Sequence, residues 1–168
     1  MKKTLALILV TILCFSMCAC DPGRAHIGRE GLNDVVRVEL IQYENPNQKH
    51  FITWVPDYSD ELAPFVLENA TVLETLPAEK ASDFFDALSE KDILYKYYAY
   101  DSPKDVCIRL TYQNGDFLII WANYAENAHN GYIGKYSADG TVSFYWGCFY
   151  SLDYYEELVN EFFAYELY

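Results

Sequence analysis

Between Val106 and Trp146 the chain alternates apolar and polar residues in short runs, each cut by a turn signal. Val106, Ile108, Leu110 and Tyr112 fall on one side of an extended strand, and Cys107, Arg109 and Thr111 fall on the other. Successive strand side chains point to opposite faces, so this pattern predicts a strand that packs on one side. Asn114-Gly115 then separates it from an apolar run at residues 117–121. Asn-Gly between two such runs is the strongest short-range hairpin signal, with both central residues expected at positive φ. Residues 124–130 read as a loop, 132–136 as a strand, Asp139-Gly140 as a turn and 141–146 as the returning strand. Residues 93–100 supply an aromatic strand ahead of these, closed by Asp101-Ser102-Pro103-Lys104. Five strands joined by short connections restrict the chain to an antiparallel meander.

The flanking segments complete the architecture. Residues 34–43 read as a strand, with Val36, Val38 and Leu40 on one face and Arg37 and Glu39 on the other. Asn45-Pro46-Asn47-Gln48 breaks it, and residues 49–55 return as a candidate hairpin partner. Residues 56–64 are polar and turn-rich, and residues 71–76 form a short strand candidate. Pro77 suits a first helical turn, where its missing N–H costs nothing. Ala81, Phe84, Phe85 and Leu88 follow at helical spacing as one apolar stripe. A second helix ends the chain, with Ser151 as N-cap and Leu152, Tyr155, Leu158, Val159, Phe162 and Phe163 as its stripe. The expected class is α+β: an antiparallel β-meander sheet with one internal and one C-terminal helix packed on one face, the other face partly open.

The chain carries 25 Asp and Glu against 12 Lys and Arg, a formal charge of −13. An acidic surface argues against nucleic acid as a partner and against direct adhesion to anionic lipid. Ten Phe, sixteen Tyr and three Trp are first a sheet signal, because Tyr packs a half-buried face and keeps its hydroxyl wet. They are also candidates for a binding face, and Tyr98, Tyr100, Trp121, Tyr132 and Trp146 are the residues expected to form one.

The amino terminus predicts a destination. Met1-Lys2-Lys3 is basic, residues 5–15 are an apolar run of 11, and Ser16-Met17-Cys18-Ala19-Cys20 precedes a polar stretch. A basic start, an apolar segment and a small-residue site form a secretory signal peptide. Eleven apolar residues fall short of the roughly 20 needed to span a bilayer. Met17-Cys18-Ala19-Cys20 resembles the lipobox of bacterial lipoproteins. The resemblance implies cleavage after Ala19 and acylation of Cys20, with palmitate-type chains anchoring the protein to the outer face of the cell membrane. Two or more acyl chains hold a protein stably at a bilayer. The expected organisation is a signal peptide over residues 1–19, a lipidated flexible tether over 20–33 rich in Gly and Pro, and one domain over 34–168. Cleavage removes Lys2 and Lys3 and no acid, which takes the formal charge to −15. The domain is also similar to small lipoproteins of Gram-positive bacteria, through Asp101-Ser102-Pro103, Ile108-Arg109-Leu110-Thr111-Tyr112-Gln113-Asn114-Gly115-Asp116-Phe117 and Gly147-Cys148-Phe149. That similarity implies a compartment and no catalytic residue.

Cys107 and Cys148 are the pair left to bond in an oxidising compartment. A bond closing their loop of about 40 residues would contribute roughly 4 kcal/mol. Two separately buried thiols are the alternative.

Catalytic motifs are not legible. His26, His50 and His129 stand apart, and neither cysteine sits in a nucleophile signature. No His-x-x-x-His, Cys-x-x-Cys or Gly-rich phosphate loop occurs, so no cofactor or metal is expected. Asp57, Ser59, Asp60 and Glu61 crowd oxygen atoms into one loop without the alternating pattern of a calcium-binding loop. The expected function is a membrane-anchored, non-enzymatic binding module for a protein or cell-wall polymer. The alternatives are an inhibitor or immunity-like protein acting on an exported enzyme, its acidic loop entering a basic site, and a hydrolase with an unfamiliar site.

Overall fold

The computed structural model describes residues 24–44, 64–90, 92–94, 105–123, 130–149 and 152–167. The alternating runs become four consecutive strands: β5 (Asp105–Tyr112), β6 (Phe117–Asn123), β7 (Asn130–Tyr136) and β8 (Val142–Phe149). Each pairs antiparallel with the next, so the meander is present. β1 (Arg24–His26), β2 (Val35–Tyr43), β3 (Ala70–Thr75) and β4 (Asp92–Leu94) extend it on both sides. The result is one eight-stranded antiparallel sheet in the order β1-β4-β8-β7-β6-β5-β2-β3.

The hairpin turns differ from the expectation at one point. Among the non-glycine residues described, only Asp105 has positive φ, so Asn114 does not. Gly115 alone takes φ +89°, and its N–H donates to the Tyr112 carbonyl at 3.0 Å while the Tyr112 N–H donates to the Asp116 carbonyl at 2.8 Å. This is the three-residue connection with a single left-handed glycine, which needs one positive φ rather than two. The β7–β8 turn repeats it: Gly140 has φ +86°, with Gly140 N–H to Ser137 carbonyl and Ser137 N–H to Thr141 carbonyl both at 2.8 Å. The two turns lie side by side, because a β-carbon on Gly115 would stand 3.2 Å from that of Ala138.

Helix α1 (Ala78–Ser89) begins one residue later than Pro77, which takes the cap position at φ −60°, ψ 142°. It carries the chain from β3 at one edge to β4 near the other. Phe84, Phe85 and Leu88 are buried as the stripe predicts, and burying each is worth roughly 1.5–3 kcal/mol. Helix α2 (Leu152–Phe162) lies over β6 and β7 and packs on α1. Phe84 meets Phe162 edge to face at 5.2 Å. Tyr154 donates its hydroxyl to the Ala87 carbonyl at 2.8 Å, and Tyr155 donates to the Val106 carbonyl at 2.6 Å, which ties α2 to α1 and to the sheet. Ser151, the expected N-cap, lies outside the described residues.

Both helices share one core with Val38, Leu40, Ile108, Leu110, Leu118, Ile120 and Ile133 of the sheet, so they cover the same face. The opposite face is covered in part, and Arg37 on it stays half exposed. Ile41, Tyr43, Cys107, Phe117, Ile119, Trp121, Tyr132 and Tyr136 form a second core with Phe65. The continuous run Phe117-Leu118-Ile119-Ile120-Trp121 is buried on both sides because β6 is central and divides its residues between the two cores.

Residues 24–33 also depart from the expected tether. Arg24–His26 pairs with β4, Arg29–Leu32 forms a short 3-10 turn, and Ile27 and Leu32 are 1% and 0% exposed in the helix-side core. Two buried aliphatic side chains outweigh the turn-prone glycines around them. The strand expected at residues 49–55 lies outside the described residues, and β2 instead pairs with β3 and β5. β3, the outer strand, carries a bulge: Leu40 pairs with Glu74 and Ile41 with Val72, which leaves Leu73 between them.

Candidate functional site

Adjacent strands lie about 4.8 Å apart, so register fixes the distance between rows of residues. Ile41, Cys107, Trp121, Tyr132 and Cys148 form one row across β2, β5, β6, β7 and β8. Cys107 and Cys148 are thus three strands apart, about 14 Å. A disulfide requires α-carbons within about 7 Å, so this pair is not bridged. Cys107 is a buried thiol, its Sγ 3.9 Å from the Asp105 carbonyl oxygen.

The same row removes two expected binding residues from the surface. Trp121 is 0% and Tyr132 2% exposed, and their rings stack at 5.5 Å inside the second core. Their burial reflects the cover on the second face, which alternation alone does not reveal. Trp146 lies on β8, but its side chain falls outside the described set, as do Tyr98, Tyr100, Cys20, His50, His129 and the acidic loop at residues 57–61.

A polar cluster crosses the same face. Glu39 is 4% exposed, and its Oε2 accepts from Arg109 Nε at 3.0 Å and Nη2 at 2.8 Å. Arg37 Nε stands 3.2 Å from the same oxygen. Cross-strand pairing of Glu39 with Arg109 places the two side chains side by side. The half-exposed Arg37 reaches in from the same strand.

A concave feature among the described residues lies at the end of the sheet where the hairpin turns gather. Glu30 and Gly31 of the 3-10 turn, Asp34, Tyr112, Gln113, Asn114 and Lys135 line an open cleft of about 460 Å³. The Gln113 N–H donates to the Asp34 carbonyl at 2.8 Å, which joins the β5–β6 turn to the entry of β2. Asn114 donates its Nδ2 to Asp116 Oδ2 at 2.9 Å and accepts the Asp116 N–H at 3.0 Å, so the turn is braced from both sides. Lys135 Nζ stands over the Tyr112 ring at 5.0 Å, a cation–π contact. Burial, with Asp116 and Asp34 adding to it, pushes the Tyr112 phenol up to about 12. Tyr112 is therefore a neutral hydrogen-bonding group near pH 7. One ammonium, two carboxylates and two amides around an open volume can hold a polar ligand bearing both charges. Among the described residues no three His, Cys, Asp or Glu gather as a metal site. Sequence reading missed this cleft because its walls come from four separate segments. The one legible signal was Asn114-Gly115, which marked a turn rather than a wall.

Alkaline titration checks the burial of the tyrosines. Tyr43, Tyr112, Tyr136 and Tyr154 all have phenols raised above the ordinary 10.0, chiefly by desolvation. Below pH 10 both folded and unfolded chains keep these protons and stability is unaffected. Above it the unfolded chain ionises first, so the fold loses stability as pH rises from about 10 towards 12 for Tyr112 and beyond for the deeper rings. Tyrosinate absorbance should therefore rise in two stages, the second coinciding with loss of circular dichroism. A single stage near pH 10 with the fold intact would contradict the two cores.

No family model matches the chain, and no curated protein or solved structure is significantly similar to it.

Proposed function

We propose that the protein is an acylated lipoprotein held by Cys20 at the outer face of the cell membrane, where its domain binds a protein or cell-wall polymer without catalysing a reaction. The observation that carries the reading is Met17-Cys18-Ala19-Cys20 placed directly behind a basic start and an 11-residue apolar run. That arrangement suits a cleaved signal joined to a lipid anchor. No helix among the described residues is long and apolar enough to cross a membrane.

The recognition surface is assigned to the cleft at the hairpin end, not to the aromatic sheet face. Trp121 and Tyr132 support the second core and offer no ring to a partner. The cleft instead presents Lys135 among Glu30, Asp34, Gln113 and Asn114. Such a mixed polar wall favours a partner with cationic and hydrogen-bonding groups, in keeping with an acidic domain.

Cys20→Ala tests the anchor. The wild-type protein should partition with the membrane fraction and carry an acylated cysteine as its first residue by mass spectrometry. The variant should lose the acyl mass and leave the lipid phase in detergent partitioning. Wild-type protein that retains Met1, or has Cys20 unmodified, overturns the proposal. Glu30→Lys tests the recognition surface: reversing an exposed carboxylate of the cleft wall should weaken capture of a cationic partner by tenfold or more without shifting the unfolding midpoint.

A further inference from the structure

Resting on the lipid-anchor reading above, we infer that the β1 edge of the sheet is held at the lipid headgroup layer and that the β3 edge points away from the bilayer. The inference comes from where the fold begins. Arg24–His26 is already paired with β4, and Ile27 and Leu32 are 1% and 0% exposed in the core. The chain therefore belongs to the domain from Arg24 onward.

Arg24 follows Cys20 by four residues. Four residues span at most about 14 Å, however they are arranged. A flexible segment reaching residue 33 would have allowed about 45 Å. Acyl chains on Cys20 fix that residue at the membrane surface, so the short link keeps β1 close to it. β3 lies at the opposite edge, seven strand spacings away, which is about 34 Å.

Charge decides how the domain leans on so short a link. Glu79, Asp83 and Glu90 on or just after α1 are exposed, as are Glu157 and Glu161 on α2, while Asp86 is paired with Arg29 at 3.0 Å. Lys80 is the one basic residue in either helix. An anionic leaflet repels this acidic layer within a Debye length of about 8 Å. Lying flat on the helices is thus disfavoured, while standing on the β1 edge leaves both helices in solvent. The outward edge then carries Val72 and Leu73, which are 45% and 41% exposed.

Short-range quenching tests the orientation. The membrane-processed protein, with Cys148→Ser to remove a competing thiol, receives a small fluorophore at Gly28→Cys or at Val72→Cys. Gly28 is two residues past β1, and nothing lies within 4 Å of a β-carbon built there. Each sample is placed in vesicles of phosphatidylcholine and phosphatidylglycerol containing a nitroxide-headgroup lipid. Quenching at position 28 should exceed that at position 72 several-fold. Inserting a Gly/Ser spacer of about ten residues ahead of Arg24 should bring the two values together. Equal quenching at both positions without the spacer overturns the orientation. Mass spectrometry of the same sample separates the two failures. Acylated protein with equal quenching refutes the orientation alone, whereas unacylated Cys20 refutes the anchor and the orientation with it.

Discussion

Gly140→Ala should destabilise the fold by about 4 kcal/mol, read as a lower urea midpoint in circular dichroism. A β-carbon at Gly140 would stand 2.0 Å from the Phe65 carbonyl oxygen and 3.1 Å from its carbon. Neither side of the contact can yield easily. The Phe65 N–H donates to the Gly140 carbonyl at 2.8 Å, and the Val66 N–H donates to the Tyr43 hydroxyl at 3.0 Å. Phe65 also stacks on Tyr43 at 4.1 Å and meets Phe117 and Tyr136 at 5.4 and 5.6 Å. Moving it would break a backbone bond worth about 1 kcal/mol and uncover part of a Phe burial worth roughly 1.5–3. The left-handed backbone at φ +86° adds about 1–2 kcal/mol for any side chain. Gly115→Ala supplies the control. It sits in the same kind of turn at φ +89°, but its β-carbon would meet only Ala138 at 3.2 Å. It should cost about 1–2 kcal/mol. Equal losses at the two glycines would show that docking of Phe65 contributes nothing.

Glu39→Ala should cost about 3 kcal/mol by the same measurement. Three N–H groups converge on one carboxylate oxygen, and Arg109 behind it has only 13% of its side chain exposed. Removing the carboxylate strands a guanidinium beside a hydrophobic core. Breaking a buried pair costs about 3–5 kcal/mol, and the lower end applies because Arg37, at 52% exposure, can turn to water. The double variant Glu39→Leu with Arg109→Met should recover stability to within about 1 kcal/mol of wild type, since apolar replacement of a whole buried pair is often neutral. A double variant as unstable as Glu39→Ala would show that the cluster contributes net stabilisation, not mere mutual compensation.

The meander was legible because its information is local. Alternation in β5, the glycine turns and the helical stripe at Ala81, Phe84, Phe85 and Leu88 depend on residues a few positions apart. The remaining features depend on distance in the chain. Ile27 and Leu32 show no periodicity, and only the core they share with α1 and α2 reveals that residues 24–33 are structural. The disulfide failed on register, since two cysteines in apolar strands look equivalent until three spacings are counted between them. The aromatic excess suggests a binding face that includes Trp121 and Tyr132, but alternation tells only which residues share a side, not whether that side is covered. Phe65 is the described part of that cover, and it lies more than fifty residues before Trp121. The cleft was invisible for the same reason: Glu30, Asp34, Asn114 and Lys135 meet only after the sheet has formed.

The bulge at Leu73 bears on how these molecules behave when crowded together. A straight outer strand with greasy side chains offers evenly spaced amides and carbonyls that a neighbour's strand can zip onto, growing ribbons without limit. The inserted residue throws that spacing out of step halfway along a six-residue rim. The break denies a colliding copy a continuous seam along this rim, whose Val72 and Leu73 side chains are exposed.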